Sequence, residues 1–116
     1  MTVTIYHNPR CAKSRATLAL IEERGVKPKI VEYLKTPPSA AELKRILTKL
    51  GLKPRDILRK SEPRYAELGL KDKDLTDDAL IALMTANPIL IERPIVVSGD
   101  KAAIGRPPEA VLKILP

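Results

Sequence analysis

The chain has 116 residues, of which 44% are hydrophobic, and 21 basic residues against 14 acidic ones give it a formal net charge of +7. That balance fits one folded domain over residues 1–116 and excludes a disordered tail, and no apolar run is long enough to cross a bilayer. There is no Phe or Trp, so Leu, Ile, Val and Ala have to build the core.

Thr2 to Tyr6 reads as a short buried strand with no charged leader or cleavage site ahead of it, which predicts a cytoplasmic protein. His7-Asn8-Pro9-Arg10 makes a turn, and Cys11 stands at the mouth of a helix that runs from Ala12 to about Glu23 and is stopped by Gly25. Lys29 to Tyr33 is a second strand, and Thr36-Pro37-Pro38 interrupts the chain. Ser39-Ala40-Ala41-Glu42 matches a capping box, followed by Leu43, Ile46, Leu47 and Leu50 on one helical face. Short helical pieces are expected over Asp56 to Leu58 and Pro63 to Leu68. A longer helix follows with Thr76 as N-cap, Leu80, Leu83 and Met84 as its buried stripe, and Pro88 as its end. Pro94 to Ser98 is a strand, Gly99-Asp100 a tight turn and Lys101 to Ile104 the partner strand. Pro107 and Pro108 open a closing helix with Val111, Ile114 and Leu115 on one side.

Strand, helix, strand, helical block, hairpin, helix is the element order of a thioredoxin-like (glutaredoxin-like) α/β fold. Such a fold has a mixed central sheet flanked by helices, here with a helical insertion before the C-terminal β-hairpin.

Cys11 is the only cysteine, so no internal disulfide can form, and any redox cycle has to take its second thiol from another molecule. At the first turn of a helix, unpaired amides favour negative charge, which lowers a thiol pKa and frees the thiolate as a nucleophile. The plain alternative is a buried apolar cysteine. His7, the only histidine, either stabilises the thiolate when protonated or only fixes the turn. Ser14 stands where a Cys-x-x-Cys pair would have its second cysteine, and its hydroxyl can donate to the sulfur but cannot close a disulfide. Cysteine phosphatases carry an arginine six positions after the nucleophile; that position is Thr17 here, so their loop is not supported. One histidine and one cysteine fall short of a zinc site, so no metal is expected. Basic residues without aromatic interleaving point to a small anion and not to nucleic acid. Arg59, Arg93 and Arg106 offer planar forks for a tetrahedral oxyanion, and a proline after Arg93 and after Arg106 restricts the backbone there.

His7-Asn8-Pro9-Arg10-Cys11-Ala12-Lys13-Ser14-Arg15, Tyr33 to Pro38, Ile57-Leu58-Arg59-Lys60, Tyr65 to Leu70, Asn87 to Val97 and Gly105-Arg106-Pro107 together resemble the arsenate reductases that work with glutathione and glutaredoxin. The resemblance covers almost the whole chain. It implies that Cys11 attacks arsenate to give a covalent thiol–arsenate adduct, with His7 aiding thiolate formation. It further implies that Arg59, Arg93 and Arg106 hold the oxyanion, Ser14 helps to bind it, glutathione attacks the adduct and glutaredoxin resolves the mixed species. No tightly bound cofactor is implied, glutathione being a co-substrate, and the protein is expected to act as a monomer without nucleic acid or membrane. A cis proline is expected at Arg93-Pro94. Members of this family commonly continue with a polar tail where this chain stops at Pro116, and the hairpin at Ser98 to Lys101 is its own. Two other readings share the fold: a general monothiol oxidoreductase acting on glutathione mixed disulfides, and a non-catalytic regulator that binds RNA polymerase. Relatives of the latter kind carry a Cys-x-x-Cys pair or lack the arginines.

Overall fold

The computed structural model describes residues 2–116; Met1, the first residue of the stretch read as leaderless, lies outside the described residues. Its contacts divide the chain into two compact units, residues 1–36 with 93–116, and residues 37–92.

The first unit is a four-stranded mixed sheet in the order β2-β1-β3-β4. Its strands are β1 (Val3–His7), β2 (Lys29–Glu32), β3 (Ile95–Ser98) and β4 (Lys101–Ile104). β1 runs parallel to β2 and antiparallel to β3, and β3 and β4 form the expected hairpin. In its two-residue loop Gly99 has φ +62° while no described non-glycine residue has positive φ, which gives the loop the φ signs of a type II′ turn. The β1–β2 crossover is made by α1 (Ala12–Glu23), which ends in a Schellman motif. Gly25 adopts φ +77° there, its N–H donates to Glu22 O at 2.9 Å, and Val26 N–H donates to Ile21 O at 3.3 Å.

Residues two apart on a strand share a face. Val3 and Ile5 on β1 and Val96 on β3 thus join Ile21 of α1 and Val111 in one buried cluster, with Leu18, Val26, Ala103, Ile114 and Leu115 packed around it. Val111 belongs to the closing segment Pro108–Ile114, which is a 3₁₀ helix, tighter than the regular helix expected there.

The second unit is helical apart from a single bridge between Leu58 and Ile91, flanked by Arg59 N–H donating to Leu90 O and Glu92 N–H donating to Ile57 O, both at 2.8 Å. Its main helices are α2 (Ala40–Leu50), α3 (Pro63–Glu67) and α4 (Asp77–Ala86). Ser39 Oγ accepts the Glu42 N–H at 3.1 Å, and Thr76 Oγ1 accepts the Ala79 N–H at 3.1 Å, so both predicted N-caps are in place. α2 buries Leu43, Ile46 and Leu47. On α4 the buried stripe is Leu80, Ile81 and Met84, with Leu83 only half-buried, so the apolar face is turned from the one expected. Three 3₁₀ turns, Pro54–Ile57, Leu70–Asp72 and Pro88–Leu90, complete the unit. No helix of the described residues is long and apolar enough to cross a membrane.

Candidate active site

Cys11 is the N-cap of α1, with extended backbone at φ −93° and ψ 122°. The turn before it is tied down from several directions. Cys11 N–H donates to Asn8 O and Arg10 N–H to Asn8 Oδ1, each at 3.0 Å, and Arg15 Nη1 reaches back to Pro9 O at 2.9 Å. These bonds hold the half-buried sulfur beside the open amides of the first helical turn.

Burial alone raises the Cys11 pKa. The Ser14 amide, the charge of Arg93, the Lys13 amide and the Arg106 guanidinium outweigh it, and the thiol is held below its ordinary value. The sulfur closes no cap hydrogen bond of its own. The two amides therefore act through the partial positive charge that they turn toward it.

Hairpin register explains why two arginines meet here. Ile95 and Ile104 pair at the base of the hairpin, and the pairing continues one residue outward, where Gly105 N–H donates to Pro94 O at 3.0 Å. Arg93 and Arg106 are the next residues on each side. Each precedes a cis proline, Pro94 and Pro107, the second of which was not expected from the sequence. Arg106 Nη1 donates to Arg93 O at 3.3 Å and stands 3.9 Å from Cys11 Sγ.

His7 closes β1 and is 6% exposed. Its Nδ1 lies 2.6 Å from Ser14 Oγ, which also accepts the Asn8 N–H at 3.0 Å. Burial, followed by the repulsion of Arg15, lowers the imidazole pKa against the opposing pull of Glu32. The lowered pKa disfavours the protonated ring, whose field was one of the two roles open to His7 in the sequence. The other role, fixing the turn, is the one its geometry performs. Ser14 also departs from expectation: its hydroxyl is fully buried and turned to His7 and Asn8, so the amide, not the hydroxyl, faces the sulfur.

Arg59 lies in the second unit. Nη2 is 3.1 Å from Glu62 Oε2 and Nη1 donates to Ile89 O at 3.3 Å, with the side chain 12% exposed. The structure thus gathers Cys11, Ser14, His7, Arg93 and Arg106 in the first unit and fixes Arg59 by its own partners in the second. The amide of Lys13 is a contributor that side-chain reasoning missed; its signal was its place two residues after the helix N-cap. Among the described residues, no group of three or more His, Cys, Asp or Glu is placed to hold a metal ion.

A thiol of lowered pKa, with Arg106 beside the sulfur and the charge of Arg93 acting on it, suits nucleophilic attack on a small oxyanion. Comparison with known proteins points the same way. Residues 6–114 match the model of the ArsC family. An arsenate reductase of Neisseria meningitidis is 49% identical over 97% of this chain and 97% of its own length. The uncharacterized protein YfgD of Escherichia coli K12 is 54% identical over 97% of this chain and 96% of its own length. A solved arsenate reductase structure from Vibrio cholerae superposes with a TM-score of 0.95 at 55% identity, covering 99% of this chain and 98% of that one, and the thioredoxin-like fold is shared. The chain belongs to the ArsC family.

Proposed function

We propose that this protein is a cytoplasmic arsenate reductase in which Cys11 is the nucleophile. The observation that carries the reading is the lowered pKa of a lone, partly exposed thiol with Arg106 Nη1 3.9 Å from its sulfur. The similarity to named arsenate reductases supports arsenate as the oxyanion.

In this scheme the Cys11 thiolate attacks the arsenic of bound arsenate, forming an S–As bond while one arsenate oxygen leaves with protons as water. Arg93 and Arg106, fixed at the base of the hairpin, neutralise the oxyanion, and the Ser14 and Lys13 amides at the helix start add to the same field. Ser14 holds the turn through His7, which positions the thiolate without taking its proton. Glutathione then attacks the adduct. The two electrons that take arsenic from the +5 to the +3 state come from the Cys11 and glutathione sulfurs, arsenite leaves, and glutaredoxin resolves the mixed disulfide. The count of one cysteine requires such an outside thiol.

The test is a coupled assay with glutathione, glutaredoxin and NADPH. Arsenate-dependent NADPH oxidation is expected for the natural protein and is lost in Cys11→Ser. An inactive natural protein, or activity that survives in Cys11→Ser, refutes the reading.

A further inference from the structure

Gly105 differs from the glycines of the helix ends. Gly25, Gly51 and Gly69 have positive φ and open space where a Cβ would stand, so the backbone conformation requires them. Gly105 has no positive φ, and its requirement is space. A Cβ there would strike Thr17 Oγ1, lie 2.8 Å from Pro94 Cγ and 3.0 Å from Thr17 Cγ2, closer than side chains pack. Neither neighbour yields easily: Thr17 is a β-branched residue with no exposed surface and Pro94 is a buried ring.

Thr17 occupies the helix position where a cysteine phosphatase would place its own arginine. In this chain its Oγ1 donates to Lys13 O at 2.7 Å and leans toward Gly105 O at 3.4 Å. One helix, α1, thus carries Cys11 at its start and, under two turns later, the surface on which the end of β4 rests. The next residue after that resting point is Arg106.

We propose that Thr17 and Gly105 form a seat that sets how closely Arg106 approaches the Cys11 sulfur, which makes both of them positioning residues for the oxyanion site. The proposal rests on the reading of Arg106 as the partner of the thiolate and its substrate. Contact between Arg106 Nη1 and the sulfur is already long at 3.9 Å, so a displacement of the seat by one methyl group is enough to remove it.

Because the chain has a single cysteine, the rate of alkylation by iodoacetamide against pH reports that sulfur alone. Arg106→Ala is expected to raise the midpoint. Gly105→Ala is expected to raise it by about half a pH unit, about threefold slower alkylation near neutral pH, and adding Thr17→Ala, which removes two of the three atoms the new methyl group meets and leaves Pro94 Cγ, is expected to reverse most of the rise. An unchanged midpoint in folded Gly105→Ala, or a rise that Thr17→Ala does not reverse, overturns the seat. Should Gly105→Ala fail to fold, the double variant decides: a natural midpoint supports the seat, and one as high as that of Arg106→Ala overturns it. If Arg106→Ala itself leaves the midpoint in place, the reading of Arg106 fails and the seat falls with it.

Discussion

His7 Nδ1 and Ser14 Oγ stand 2.6 Å apart, both buried, at the end of β1 and inside the first turns of α1. Ser14 Oγ also accepts the Asn8 N–H at 3.0 Å. One hydroxyl thus links the end of the strand, the turn and the helix, three residues after Cys11. Ser14→Ala leaves the buried His7 Nδ1 and the part-buried Asn8 N–H without this partner and is expected to cost about 1–3 kcal/mol of stability, read from urea denaturation.

The same pair gives stability a pH dependence. Burial first, and Arg15 second, hold the His7 pKa below 6.5 against Glu32. As pH falls below 6.5 the unfolded chain binds a proton that the folded chain resists, so stability that is complete above this value is lost toward the lower folded value. The urea midpoint of the natural protein is expected to drop between about pH 7 and pH 5, and His7→Asn to flatten that drop. An identical slope in His7→Asn assigns the effect to other groups.

Arg93 and Arg106 should differ in their effect on the thiol. After burial, which raises the Cys11 pKa, the Ser14 amide and then Arg93 oppose it most, with the Lys13 amide and Arg106 following. Arg93→Ala is therefore expected to slow alkylation near neutral pH more than Arg106→Ala, with both slower than the natural protein. The reverse order points to the direct contact of Arg106 as the stronger influence.

In the helical unit, Ser39→Ala removes the cap on the Glu42 amide and is expected to cost about 1 kcal/mol. Leu43→Ala, at a position with no exposed surface, is expected to cost about 2–5 kcal/mol. Thermal or urea unfolding checks both, and equal effects would mean that the core of this unit packs loosely around Leu43.

Features decided by neighbours in sequence were legible. Ser39 and Thr76 cap helices because a hydroxyl three residues before an amide reaches it whatever the rest of the fold does, and Gly25 and Gly99 turn the chain because few other residues tolerate positive φ. The turn to a 3₁₀ helix over Pro108–Ile114 and the exchange of Leu83 for Ile81 on α4 depend on packing partners, which periodicity does not name. The site divides in the same way. Cys11 at a helix start is a local fact. Its meeting with Arg106 spans 95 residues and follows from the Ile95–Ile104 register. Sequence left His7 between two roles because burial, which lowers its pKa, is a tertiary property.

The pH profile of Cys11 alkylation in the natural protein is the most direct test that Arg93 and Arg106 hold an activated thiol. A midpoint clearly below that of a free cysteine, about 8.5, is expected, with an upward shift when Arg93 and Arg106 are both replaced by alanine. A midpoint at or above the free value, indifferent to both arginines, would contradict it.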